Sequence, residues 1–321
     1  MERRKITVLL TTAICVGVVG FCSDASAAVQ LSLKLQKGKT YYQRVVIDQR
    51  VAQTVMGQEQ AMDYIIGLGQ KLDVLDVDGQ GNMQVRHTYI WSRFKQSGPM
   101  GQADYDSSQP AAAVAGAEGF AALVGQSYVI KVSPQGKVLD VNGVEAVAES
   151  VQKKAGGMNV TSAESPLSFL LTKQGIVETE EGLLAVYPEG PVEVGASWTE
   201  KKVTKQGLAM ITELKWTLQK REGGVATVAE AASVKSDPSA PPLDAGTAKI
   251  KVDVSGTEEG TLEVEEATGL IKINRSRQEL KGQMNVGASA EGPFDMMKIP
   301  AAFTTSVALE MSDRMWQTPQ K

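Results

Sequence analysis

His87 is the first residue to consider, because few side chains of this sequence could do acid–base chemistry. It is the one histidine among 321 residues, and it alternates with Val85 and Tyr89 as residues of one strand face do. A histidine base would need a serine nucleophile, but no Gly-x-Ser-x-Gly turn occurs in the chain. We therefore interpret His87 as a hydrogen-bonded packing residue.

Metal ligands are also scarce. Cys15 and Cys22 both lie in an N-terminal segment that we expect to be removed, so a zinc or copper site lacks its usual ligands. Asp73, Asp76 and Asp78 crowd one hairpin, yet the ligand order of a calcium loop is missing. The sequence predicts neither a metal ion nor a cofactor.

The glutamates form two clusters without any sign of burial, and we interpret both as solvated strand faces. Paired acids for glycoside hydrolysis cannot be recognised from such runs, and no phosphate-binding loop is present. We expect no enzyme, and an unrecognised hydrolase is the third alternative for function. The clusters are Glu178, Glu180 and Glu181, and Glu263, Glu265 and Glu266.

The N-terminal segment has the order of a secretory signal peptide. Three cations at positions 3–5 precede an uncharged run at 6–21, and Ala25-Ser26-Ala27 follows. We expect residues 1–27 to be removed and the protein to be exported to the periplasm or the extracellular space, with no stable membrane span. Retention of the segment as an anchor stays open. Lipidation is disfavoured because Phe21, not a small residue, precedes Cys22.

The charge of the chain restricts its partners. The net charge is −4, and no basic cluster is present. This balance argues against a nucleic-acid partner and against docking on anionic lipid.

The exported part shows alternation of apolar and polar residues, which is typical of antiparallel sheet with one buried face. The run from Met83 to Trp91 is the clearest case. Two hairpins are predicted, one turning at 134–136 and one at 268–269. Phe303 to Met311 alternates in the same way. We predict a mainly β (α+β) fold of curved antiparallel sheets.

Three short helices are expected to pack on the sheet. The first covers about 111–124, and the second covers about 143–153 with Asn142 and Glu145 as a capping box. The third begins at Ser165-Pro166. The stretches 95–110 and 236–246 are rich in turn-forming residues and are predicted to be exposed loops.

The domain organisation admits two interpretations. Residues 28–190 form an N-terminal β half with inserted helices, and 191–321 form a C-terminal β half, or the two are one continuous domain. Gly38 and Gly195 each deliver an aromatic residue onto a first strand, which a duplication would explain. Glycine turns before strand aromatics are also common in unrelated sheets.

Three sequence runs carry a family resemblance: GKTYY at 38–42, ALVGQSYVIKVSPQGKVLDVNGVEAV at 122–147 and PVEVGASW at 191–198. With the exported start, they resemble a family of uncharacterised bacterial exported proteins, a domain of unknown function. These motifs are glycine turns and strand aromatics, so the resemblance implies a fold and no activity. The architecture also resembles the half-barrel carriers that ferry lipids and lipoproteins across the periplasm.

The leading functional hypothesis is a binding or carrier module for an apolar ligand or an envelope protein client. A curved sheet under helices can leave an apolar interior for such a ligand. The side chains that we expect to face it are Val114, Phe120, Val147, Leu167 and Leu170. The alternative is a structural or interaction protein of the envelope with a filled core.

Overall fold

A computed structural model describes residues 27–99, 101–109, 115–156, 160, 167–184, 186–205, 208–245, 248–288 and 297–316. Residues 1–26 of the predicted signal segment and Val114 lie outside these residues.

The described residues form thirteen strands, three α-helices and one 3₁₀ turn. The strands are β1 (Thr40–Val55), β2 (Gln58–Val77), β3 (Met83–Gly98), β4 (Gly101–Asp106), β5 (Ser127–Val132), β6 (Val138–Asn142), β7 (Ser197–Thr204), β8 (Met210–Glu222), β9 (Val225–Ser236), β10 (Leu243–Ala245), β11 (Ala248–Glu265), β12 (Ile271–Ala288) and β13 (Met297–Ser312). The helices are α1 (Glu118–Leu123), α2 (Val144–Lys154) and α3 (Lys173–Leu184), and the 3₁₀ turn is Ser168–Leu170.

All thirteen strands belong to one sheet, and the pairs are antiparallel. The order is β6-β5-β3-β2-β1-β13-β12-β11-β9-β8-β7, with β4 on β3 and β10 on β11 as side branches. The predicted mainly β fold of antiparallel sheet with about three short helices is confirmed. β1 pairs with β13 over twelve residue pairs, from Tyr42 with Ser312 to Gln53 with Ala301, so strands from both predicted halves share this sheet. The division at residue 190 and the duplication stay predictions.

Alternation along the strands determines which face is buried. Met83, Val85, His87 and Tyr89 of β3 are at most 2% exposed, while residues between them face outward. Leu309 of β13 is equally enclosed. Because opposite strand faces differ in polarity, a register shift of one residue would expose the entire apolar set, and this fixes the pairing.

The helices cover part of the concave sheet face. Phe120 of α1 stacks on Phe94 of β3 with ring centroids 4.6 Å apart. Val144, Val147 and Val151 form the buried stripe of α2, as the valine spacing predicts. The predicted capping box is wrong, because Gly143 caps α2 without a side-chain hydrogen bond and Asn142 donates to Asp140 instead.

Two other predictions are corrected. The supposed loop at 95–110 contains the end of β3 and all of β4, because Arg93 pairs with Asp104 and Asp106 across this hairpin. The stretch at 236–246 contains the short strand β10. For the third helix, 161–166 lie outside the described residues, and α3 begins at Lys173 after the 3₁₀ turn. Thr172 caps it by accepting a hydrogen bond from the backbone N–H of Gly175 at 3.0 Å.

The sheet curves until its two end strands, β6 and β7, approach each other under α3. Lys137, beside β6, pairs with Glu200 of β7. Glu181 of α3 accepts a hydrogen bond from the backbone N–H of Val138 at 2.9 Å, and its carbonyl accepts one from Lys202 Nζ at 2.9 Å. Helix α3 therefore ties together two edges that do not pair as strands.

Gly269 provides a test of the turn between β11 and β12. Its φ is +71°, and an added Cβ would lie 2.0 Å from the carbonyl oxygen of Ser32. We predict that Gly269→Ala lowers the free energy of unfolding by about 2–4 kcal/mol, because left-handed backbone strain adds to a backbone clash.

The matched control is Gly79→Ala, since a Cβ there meets nothing within 4 Å and the backbone φ is not left-handed. This change should alter stability by less than about 1 kcal/mol. Urea unfolding of both variants measures the difference, and equal losses would contradict the assignment of Gly269.

Candidate ligand-binding cavity

A cavity of about 320 Å³ lies between the concave sheet face and α3; we call it the central cavity. Ten strands, the 3₁₀ turn and α3 contribute to its lining. Its apolar lining includes Val45, Ile47, Leu68, Leu170, Leu214 and Val307. The volume and the apolar lining lie in the range of small-molecule sites.

Glu180 is the polar centre of the cavity. It lies on α3, and its carboxylate and the His87 ring are each 2% exposed. Glu180 Oε1 accepts from the Tyr128 hydroxyl at 2.7 Å and lies 3.3 Å from His87 Nδ1. The His87 ring stacks on Tyr128 with centroids 5.1 Å apart. The sequence interpretation of His87 as a hydrogen-bonded packing residue is confirmed.

The Glu180 carboxylate sets the direction of a chain of hydrogen bonds. An ionised carboxylate only accepts, so Tyr128 must donate to it, and the Tyr128 oxygen accepts from Gln70 Nε2 at 3.0 Å. The Gln70 oxygen is then left as an acceptor, which takes a bond from Gln43 Nε2 at 3.4 Å. It also lies 3.4 Å from His87 Nδ1, so this ring nitrogen carries a proton.

Electrostatics keeps Glu180 ionised. Burial by itself would raise the pKa of Glu180, but the adjacent His87 and the hydrogen bonds from His87 and Tyr128 outweigh it and lower this pKa. Burial and the nearby Glu180 charge raise the pKa of Tyr128 well above its usual value. Tyr128 therefore stays a neutral donor.

Four buried oxygens of residues that line the central cavity have no hydrogen-bond partner among the described residues. Glu180 Oε2, Gln43 Oε1 and Asn274 Oδ1 only accept, and the Tyr89 hydroxyl can also donate. Because the direction of the chain turns the Gln43 oxygen away from Gln70, the vacant acceptor is a consequence of the Glu180 charge.

A second polar group lines the cavity from β7, β9 and β11. Glu230 accepts from the indole N–H of Trp216 at 3.1 Å, and Lys202 Nζ lies 5.6 Å from the centroid of the same ring. Burial, with a smaller contribution from the Glu258 charge, raises the pKa of Glu230. Burial also lowers the pKa of Lys202, despite the opposing effect of Glu200.

The structure places the predicted site residues in two groups. Leu170 lies on the cavity lining. Phe120, Val147 and Leu167 are buried in the core between the helices and the sheet, and Leu167 packs against Gly119 of α1. Val114 lies outside the described residues. A ligand contact of any of them stays a prediction.

The interpretation of Glu180 as a solvated strand residue is wrong. Glu178, Glu180 and Glu181 lie on α3, and Glu180 is 1% exposed. It occupies a core-facing position with Ile176 and Leu184 at helical spacing. A glutamate in the middle of that apolar stripe was the available signal.

The aspartates of the β2–β3 hairpin are held by other side chains. Asp76 pairs with Lys37 at 2.6 Å, and Asp78 pairs with Lys131 at 2.9 Å. Asp73 accepts from Thr40 at 2.7 Å. Across the described part of the chain, no group of three or more histidine, cysteine, aspartate or glutamate residues is arranged to hold a metal ion.

The family model of DUF6263, a family of unknown function, matches residues 80–271. The chain belongs to this family. A search of curated protein sequences gave no match.

Three solved structures show a distant likeness. Lipovitellin, from a study of its lipid–protein interactions, is 11% identical with a TM-score of 0.48, and the match covers 89% of this chain and 26% of that one. The chain thus spans about a quarter of lipovitellin. The β domain of the Bordetella autotransporter BrkA is 8% identical with a TM-score of 0.19, covering 86% and 99%. The translocator domain of the Neisseria meningitidis autotransporter NalP is 7% identical with a TM-score of 0.21, covering 87% and 90%. Values this low carry no functional information.

In the part of the chain that the structure describes, no helix has the length and apolar character needed to cross a membrane.

The two buried glutamates should give opposite pH effects. Because the pKa of Glu180 is lowered in the folded state, its stabilising contribution is full above the usual glutamate range and is lost as the pH falls through the lowered value. We predict that Glu180→Gln lowers the free energy of unfolding by about 2–4 kcal/mol at neutral pH and by less in acid.

Glu230 is the internal control, because its folded pKa is raised and its charged form is disfavoured. Its destabilising effect grows as the pH rises through the raised value. Glu230→Gln keeps an acceptor for Trp216 and should be at least as stable as the unaltered protein at neutral pH. Urea unfolding from acid to neutral pH measures both variants. The same pH dependence for both would refute this contrast.

Proposed function

We propose that this chain is an exported binding module, not an enzyme, that holds an apolar or amphipathic small molecule in the central cavity. The observation that carries the proposal is a partly open cavity of about 320 Å³ whose surface is mainly apolar, formed by most strands of the sheet under a helix fixed to both sheet edges. A concave, mostly apolar cavity of this size is typical of small-molecule sites.

The polar residues of the cavity support binding better than catalysis. His87 is 2% exposed, and among the described residues its Nδ1 lies beside the Gln70 and Glu180 acceptors. A histidine base must instead reach the proton that it removes from a substrate. Lys202 Nζ contacts the Glu181 carbonyl and so holds α3 in place.

Filling the cavity tests the proposal. N-phenyl-1-naphthylamine, an uncharged fluorescent probe, should bind the unaltered protein. Val307→Phe adds a ring at the cavity lining and should weaken probe binding by about tenfold or more. Its melting temperature should fall little, because the void accommodates part of the added volume.

Val203→Phe is the matched control, since Val203 is 43% exposed on β7 between two residues that line the cavity. Probe affinity should stay within about twofold of the unaltered protein there. Failure of the unaltered protein to bind the probe, or equal losses in both variants, would exclude a binding role for the cavity. Native mass spectrometry of protein purified from its own cells should then find no retained small molecule, and a constant protein partner would favour an interaction protein.

Export is supported by the cations at positions 3–5, the uncharged run that follows and Ala25-Ser26-Ala27. We predict that the protein from the cell envelope or medium begins at Ala28. N-terminal sequencing measures this directly. An intact Met1 start in the soluble cytoplasmic fraction would contradict export.

A further inference from the structure

We propose that the polar lining of the central cavity selects a ligand whose head carries hydrogen-bond donors, a hydroxyl or an ammonium group, and rejects an anionic head. The inference rests on the proposed binding function and names the chemistry of its ligand.

The first step is the type of the vacant polar atoms. Glu180 Oε2, Gln43 Oε1, Asn274 Oδ1 and the Tyr89 hydroxyl are buried atoms of residues that line the cavity, and they have no partner among the described residues. The first three only accept, and the hydroxyl can accept as well as donate, so a donor can satisfy all four. A hydroxyl or ammonium head supplies donors, whereas a carboxylate or phosphate dianion supplies acceptors alone.

The second step is that the Gln43 amide cannot reverse this polarity. Turning the Gln43 amide over would place its oxygen against the Gln70 oxygen, which is already directed toward Gln43 by the Tyr128 and Glu180 bonds. The chain of hydrogen bonds therefore keeps Glu180 Oε2 and Gln43 Oε1 as vacant acceptors beside the cavity for as long as Glu180 is ionised.

The third step is the charge on the lining. Its ionisable side chains other than tyrosine are Glu178, Glu180, Glu230, Glu258 and one cation, Lys202. Lys202 Nζ donates to the Glu181 carbonyl at 2.9 Å and lies 3.7 Å from Glu200, so it is engaged within the protein. An anionic head would gain little from Lys202 and would be repelled by the carboxylates.

The test compares decanol, decylamine and decanoate, which share an alkyl chain and differ in the head. Each competes with N-phenyl-1-naphthylamine at neutral pH on the full exported chain. Decylamine and decanol should displace the probe at concentrations about tenfold or more below decanoate. Binding of decanoate as tight as that of decylamine would overturn the inference, while probe binding itself would leave the proposed function standing.

Two variants separate charge from hydrogen bonding. Glu180→Gln should lower the affinity for decylamine by about tenfold relative to the affinity for decanol. Asn274→Leu removes a vacant acceptor, so it should lower the affinity for decanol severalfold. The free energy of unfolding should stay the same or rise. Since Asn274→Leu creates no uncompensated charge, it tests the inference even where Glu180→Gln fails to fold.

Glu149→Gln is the matched control for the charge change, because Glu149 is exposed on α2. It should alter none of the three affinities. Unchanged head preference in both Glu180→Gln and Asn274→Leu would overturn the inference. Loss of probe binding by the unaltered protein would overturn the proposed function together with it.

Discussion

The buried carboxylate of Glu180 is the interaction on which the arrangement of the cavity depends. It joins α3 to β3 through His87 and to β5 through Tyr128. A buried, desolvated carboxylate therefore holds the helix over the concave face. A buried carboxylate needs several donors to compensate for its lost hydration. Those donors come from two neighbouring strands, because His87 of β3 pairs directly with Tyr128 of β5. The carboxylate thus couples the position of the helix to this strand pair.

The two sheet edges present a related constraint. β6 and β7 have unpaired backbone groups on their outer sides, and such edges invite association with other chains. The Glu181 carboxylate accepts a hydrogen bond from the backbone N–H of Val138 in β6, and the Glu181 carbonyl accepts one from Lys202 Nζ in β7. Two neighbouring residues of one helix therefore make different connections: Glu180 binds the concave face, and Glu181 joins the two edge strands.

Much of the sheet could be predicted from the sequence, because its information is local. Tyr128 to Val132 and Val138 to Val141 alternate around a Pro-Gln-Gly turn, and they form the hairpin of β5 and β6. The strand β4 was missed because the stretch that contains it is rich in glycine, proline, serine and aspartate, which are typical of loops. Asp104 and Asp106 look like loop residues until Arg93 lies opposite them across the hairpin.

The cavity was harder to predict, because its polar residues occupy inward strand positions where the alternating pattern predicts apolar residues. Gln43 follows Tyr41 and precedes Val45 at inward positions of β1, and Gln70 stands likewise between Leu68 and Leu72 of β2. Each exception alone has no evident meaning. Only the pairing of β1 with β2, which sets Gln43 opposite Gln70, shows that the exceptions coincide.

The coincidence of these exceptions argues against a simple packing defect. A vacant buried acceptor costs about 1–3 kcal/mol, and a typical domain has only about 5–15 kcal/mol of net stability. Gln43, Glu180 and Asn274 each carry such an acceptor, and they come from β1, α3 and β12. The Gln43 vacancy follows from the Glu180 charge through the chain of hydrogen bonds, and Asn274 adds a vacant acceptor from another strand on the same lining. Local rules of folding are broken together mainly where function requires it, and this coincidence supports the proposed occupant of the cavity.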